Sequence, residues 1–181
     1  MTEAKEFSLL YESVGRALSA WSMVEHHICD IFSAVIITDR NLAVGYAHSA
    51  FWAVESFHGK LNMVDASIKL RCRSDLENYE GLLLEWATIY KRAREKNNSR
   101  NELAHGTVMS FGNYAPPEIY FIPSFFRTLL RDVPFTMDRR PKNRLTAQQI
   151  DDRTRAFKEF SKRLLQFYLR LQKELEDDLS P

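Results

Sequence analysis

From Leu10 to Val35 the apolar residues Leu10, Val14, Ala17, Leu18, Trp21, Val24, Ile28, Ile31 and Val35 recur mostly at steps of three and four. That period fits one face of a helix and is incompatible with the strict alternation of a half-buried strand, so one long amphipathic helix is predicted from about Thr2 to Ile37. A second pattern starts near Arg40, passes through Ala43, Ala47, Phe51, Val54 and Phe57, and continues through Leu61, Val64 and Ile68 to about Arg71. Gly59 is expected to kink or divide it. After the cap-type cluster Arg73-Ser74-Asp75, Leu76, Leu83, Trp86, Tyr90 and Ala93 mark a third helix to about Lys96. Thr146-Ala147-Gln148-Gln149 has the spacing of a capping box and opens a last helix through Ile150, Phe157, Phe160, Leu164, Phe167 and Leu171, with an acidic end at Glu174 to Asp178.

Between Gly106 and Pro134 the helical period is lost. Thr107 to Phe111 and Glu118 to Ile122 are β-prone runs separated by Gly112-Asn113 and Pro116-Pro117, which predicts a small hairpin. The expected fold is all-α: an up-down helical bundle with long first and last helices and a hairpin or loop insertion near 107–134. No repeat or linker interrupts the 181 residues, so a single domain over 1–181 is expected, with 107–144 as an irregular, partly β insertion ending in a basic loop. A 45% hydrophobic content suffices for its core.

Composition removes several classes. Cys29 and Cys72 form no disulfide framework and no zinc-type spacing. The most apolar stretch, Ile28 to Ile37, contains Asp30 and is too short to cross a bilayer, and the N-terminus lacks the cationic and apolar segments of a secretory signal. The expectation is a cytoplasmic protein without membrane attachment. Glu25-His26-His27 invites a metal, but adjacent residues on a helix diverge by about 100°, and His48 and His58 share no ligand spacing with them, so neither metal nor cofactor is expected. No phosphate-binding glycine loop or nucleophile elbow is present. Trp21, Trp52 and Trp86 lie on apolar stripes and are read as core.

Chemistry concentrates in Asn97-Asn98-Ser99-Arg100-Asn101-Glu102-Leu103-Ala104-His105-Gly106, where polar residues crowd an element boundary. Ser99 and Glu102 have capping-box spacing and would restart the helix just before Arg100, with Gly106 in the terminating position. Asn101 and His105 then share a face, so the amide can orient the imidazole. Arg100 lies about 140° round the helix from His105 at 100° per residue. It must reach round, or the two must converge across a twofold interface. In the plainer alternative, Arg100 bridges a carboxylate such as Glu102 and His105 is satisfied at a helix end.

Arg100-Asn101-Glu102-Leu103-Ala104-His105-Gly106 resembles the R-N-x-x-x-H form of the Arg-x4-6-His motif of the HEPN superfamily, small helical proteins common in bacterial toxin-antitoxin and phage-defence systems. Ala20-Trp21-Ser22-Met23-Val24-Glu25 resembles the Trp and Glu placement in some bacterial members. The correspondence covers Met1 to Gly106 and the final helix; 107–144 departs from a minimal core. The resemblance implies a homodimer and metal-independent endoribonuclease activity. His105 would move the proton of the ribose 2′-OH or of the leaving 5′-oxygen, and Arg100 would stabilise the phosphorane. Asn101 would orient His105 or a phosphate oxygen, and Glu25 would hold the Arg or His from the opposite helix. A cognate antitoxin or regulator protein is a further implied partner.

Net charge is only +1, so contact with RNA must come from local clusters. Lys91, Arg92, Arg94 and Lys96 precede Arg100 with one acid, Glu95, among them, and Arg127, Arg131, Arg139, Arg140, Lys142 and Arg144 form a second group. Tyr114, Tyr120, Phe121, Phe125 and Phe126 offer rings for unpaired bases. A solvated helix face explains the first cluster equally well, and a non-catalytic module that dimerises or binds nucleic acid or a partner is the alternative function.

Overall fold

A computed structural model describes residues 3–37, 43–74, 76–111, 118–123 and 143–177. They form α1 (Glu3–Ile36), α2 (Ala43–Ala53), α3 (Phe57–Arg71), a single 3-10 turn at Cys72–Ser74, α4 (Leu76–Ala104), β1 (Thr107–Phe111), β2 (Glu118–Ile122) and α5 (Ala147–Asp177). The predominantly helical class expected from the period is present, as is the two-stranded excursion. The expected long first helix agrees with α1 to within a residue at each end.

The chain divides into two compact units, one of Met1–Trp21 with Asn98–Lys158 and one of Ser22–Asn97 with Glu159–Pro181. In the first, Trp21 meets Phe157 edge-on with ring centroids 5.3 Å apart, a favourable aromatic geometry in a core that also holds Leu10, Leu103 and Ile150. Arg16 ties α1 to α5, its Nη2 donating to Asp151 Oδ1 at 3.0 Å and to the buried Ser13 hydroxyl at 2.8 Å. The strands pair antiparallel, with Val108 opposite Phe121 and Met109 opposite Tyr120. Val108, Ile119 and Phe121 face inward, while Met109, Tyr120 and Glu118 are half-exposed on the other face. Phe121 also bridges Leu145 through two backbone hydrogen bonds of 3.0 and 2.8 Å. Next to that bridge, Thr146 Oγ1 accepts from Gln149 N–H and Gln149 Oε1 accepts from Thr146 N–H, the reciprocal capping box that starts α5.

In the second unit Trp86 and Phe167 pack at 5.6 Å among Leu61, Val64, Ile68 and Leu82. Trp86 Nε1 donates to Asp65 Oδ1 at 3.1 Å, satisfying the one polar atom the indole carries inward. The division between α2 and α3 falls at Val54–Ser56 rather than at Gly59. Ser56 caps α3 by accepting from Gly59 N–H at 3.0 Å, and a Cβ on Gly59 would stand 2.9 Å from Val54 Cγ1, so the glycine makes room for the cap. Trp52, read as core from the sequence, is 47% exposed: its ring lies 4.3 Å from Lys60 Nζ, so one face covers a cation while the rest meets solvent.

Candidate active site

Polar residues 97–101 do not break α4. The helix continues unbroken to Ala104, so Ser99 lies inside it and does not cap a new turn. The reason is visible in the stripe: Leu82, Trp86, Ile89 and Ala93 are buried, and steps of three and four carry that face on through 97 and 100 to the buried Leu103. The period persists although side chains on it are polar. Arg100 consequently stands half-buried on an inward position, with its Nε sealed from solvent and lacking a hydrogen-bond partner. Its Nη1 donates to Asn101 Oδ1 at 3.1 Å.

Glu102 does not pair with Arg100. Its Oε2 lies 2.8 Å from Arg153 Nη1, and the same nitrogen donates to the Ser99 carbonyl at 3.3 Å. Among the described residues no carboxylate neutralises the Arg100 guanidinium. Arg153, a residue the sequence reading passed over, is what keeps the nearest acid occupied; its only sequence signal is a cation in the first two turns of α5.

His105 lies one residue beyond α4 and is exposed. Its backbone N–H continues the helical ladder to Asn101 O at 3.1 Å, and Gly106 N–H closes on Leu103 O at 3.4 Å. Among the described residues its imidazole makes no side-chain hydrogen bond; Asn101, expected to orient the ring, instead orients the guanidinium. Gly106 is required by close approach rather than by a left-handed backbone. A Cβ there would collide with the Phe121 ring and stand 2.8 Å from the Ile122 carbonyl oxygen. The hairpin is therefore pressed against the residue that follows His105, fixing where α4 ends.

Glu25 belongs to the second unit and is held there, its Oε2 accepting from the buried Lys60 Nζ at 3.1 Å. In the same unit Lys91, Arg92 and Arg94 are exposed along α4, with the Arg94 guanidinium 6.0 Å from the Tyr90 ring. Lys96 is half-buried, its ammonium 5.9 Å from the Phe160 ring; desolvation, aided by the Arg92 charge, pulls its pKa below the ordinary lysine value. Three solvent-facing cations thus remain from this cluster.

Arg144 is described, its guanidinium 5.1 Å from the Tyr120 ring centre. Phe121 is core and offers no ring to a ligand. Arg127, Arg131, Arg139, Arg140, Lys142, Tyr114, Phe125 and Phe126 lie outside the described residues. Among the described residues no three His, Cys, Asp or Glu side chains converge on a metal-sized position; His27 Nδ1 instead meets Asp30 Oδ2 at 3.2 Å. Nor is any described helix long and apolar enough to cross a membrane. Comparison with protein-family models, with curated proteins and with solved structures returned no match.

Proposed function

We propose that the chain is a metal-independent endoribonuclease of the HEPN type, acting as a homodimer in which Arg100 and His105 of both protomers line one cleft. The observation that carries this reading is an arginine without an acid: Arg100 is positioned by Asn101 while Arg153 occupies Glu102. A guanidinium desolvated at Nε and not neutralised by a carboxylate is primed for an anion, and a strand phosphate offers two oxygens to its planar, bidentate fork. The exposed imidazole of His105 follows at the end of the same helix, within reach of a strand bound from solvent.

In this reading the ribose 2′-oxygen attacks phosphorus, the bond to the 5′-oxygen breaks, and the products are a 2′,3′-cyclic phosphate and a 5′-hydroxyl. One His105 takes the 2′ proton and its twin delivers a proton to the departing oxygen, while Arg100 stabilises the negative charge of the phosphorane. Asn101 serves by holding the guanidinium. The biological setting proposed with this chemistry is a toxin or phage-defence effector in the cytoplasm, restrained by a cognate antitoxin or regulator protein.

The second reading is a non-catalytic module that uses the same residues to bind nucleic acid or a partner. It is favoured by one observation: no described side chain orients the His105 ring.

Incubation of the protein with structured and unstructured RNA in EDTA, beside Arg100→Ala and His105→Ala, tests the proposal. Cleavage by the wild type, with a cyclic phosphate end and loss in both variants, supports it. Cleavage that survives His105→Ala, or RNA retained without cleavage, defeats it, and the latter result selects the binding module.

A further inference from the structure

Between α3 and α4, wholly within the second unit, a cavity of about 380 Å³ is lined by Asp65, Lys69, Leu83, Trp86, Ala87 and Tyr90. That volume is in the range of pockets for small molecules. The buried Trp86 lies at its base, Leu83 and Tyr90 are half-buried, and Ala87 and Lys69 are exposed at its rim. One acid interrupts this mostly apolar lining. Asp65 Oδ1 accepts from Trp86 Nε1 at 3.1 Å, and its Oδ2 accepts from Lys69 Nζ at 2.8 Å. The two contacts differ in permanence. The indole is packed against Phe167 in the core and fixes the carboxylate, whereas the Lys69 side chain is 65% exposed and pairs along its own helix, the weakest class of ion pair. The Tyr90 hydroxyl donates to Asn62 Oδ1 at 2.7 Å, which holds its ring in place beside the cavity.

We propose that this cavity binds a small primary amine with an aromatic or branched alkyl body, its ammonium seated on Asp65 Oδ2 in place of Lys69. Arg100 and His105 belong to the other unit, and the inference does not depend on the ribonuclease reading. Lys69 itself displays the head group that the carboxylate accepts, an ammonium at hydrogen-bond distance from Oδ2. Its stem is largely in solvent, so the lysine supplies the charge without filling the cavity. A ligand that carries the same head on an apolar body adds burial against Leu83, Trp86 and Ala87, and the displaced lysine returns to water at little cost. An organic acid of the same shape would set its carboxylate against that of Asp65, and an alcohol would lack the charge-assisted hydrogen bond. Lys69 is thus a tethered competitor for the ligand, and its removal should strengthen binding rather than weaken it.

The test titrates the full-length protein with phenethylamine, phenylpropionate and phenylethanol, read by calorimetry and by nitrogen–proton correlation spectra. Phenethylamine is expected to bind and to shift the Trp86 indole N–H resonance, with those of Trp21 and Trp52 unmoved. Asp65→Asn keeps an oxygen for the indole and removes the charge, and is expected to weaken the amine about tenfold, as loss of a charged hydrogen-bond partner does. Lys69→Ala is expected to tighten it about twofold, the worth of the exposed pair that no longer competes. Ala87→Phe, a change at an exposed rim position, should fill the cavity and abolish binding while the protein stays folded by circular dichroism. Equal affinity for phenylpropionate or phenylethanol overturns the proposal. So does weaker binding in Lys69→Ala, undiminished binding in Asp65→Asn or Ala87→Phe, or a Trp86 resonance that does not respond to the amine.

Discussion

Arg153 Nη1 lies 2.8 Å from Glu102 Oε2, a pairing that joins α4 to α5. It removes the acid nearest in sequence from competition, leaving the guanidinium to Asn101.

Glu102 is therefore structural, and Glu102→Gln tests that assignment. Its side chain is 45% exposed, so the substitution is expected to change stability by no more than about 1 kcal/mol and cleavage by no more than about twofold. If the proposed ribonuclease reading holds, Arg100→Ala, by contrast, lowers kcat by about a hundred- to a thousandfold, as loss of a transition-state charge stabiliser does. Single-turnover rates distinguish the two. A collapse of activity in Glu102→Gln would move the carboxylate into the chemistry.

Two glycines should respond oppositely to alanine. Gly106→Ala drives a methyl into the Phe121 ring and toward the Ile122 carbonyl, at an expected cost of about 1–3 kcal/mol. Gly15 sits inside α1 with nothing within 4 Å of an added Cβ, so Gly15→Ala is expected to stabilise by about 0.5–1 kcal/mol. Urea denaturation midpoints read both, and a neutral Gly106→Ala would contradict the close approach of hairpin to helix end.

Burial, reinforced by the Asp30 charge, pushes the Cys29 thiol up to about 11, against an opposing hydrogen bond from Ser33 and the Lys60 charge. The unfolded thiol ionises near 9.0, so between those values the unfolded chain holds fewer protons than the folded one and stability falls as pH rises. The contribution is complete below pH 9 and declines toward pH 11, by on the order of 2 kcal/mol in total. Cys29→Ala should flatten this alkaline decline relative to wild type in denaturation measured across that window; an unchanged slope would assign the decline to other groups.

The α5 capping box offers a local check. Thr146→Ala removes the acceptor for Gln149 N–H and is expected to cost about 1 kcal/mol. Thr146→Ser keeps the oxygen and should recover most of it. Equal midpoints for the three proteins would show that the cap is already replaced by water.

The elements written in strong local chemistry were legible: the period of α1, the paired β-prone runs, and the Thr146–Gln149 box all stand where the residue pattern puts them. Ser99 misled because a capping pattern and a helix interior share the same residues, and the buried stripe ending at Leu103 outweighed the weak propensity of 97–101. Trp52 misled because an apolar period does not reveal that a lysine will supply its cover. Arg100 and His105 were singled out by their spacing, whereas Arg153 needed the fold, since nothing local connects it to Glu102 across half a hundred residues. Gly106 was singled out correctly but for the wrong reason, because the approaching Phe121 ring is a tertiary fact.

The two hydrogen bonds joining Phe121 to Leu145 fasten together points far apart in the chain. Each of the two residues commits its backbone N–H to the other, so neither position admits proline: the ring would delete one of the two bonds and loosen the start of α5 from the hairpin.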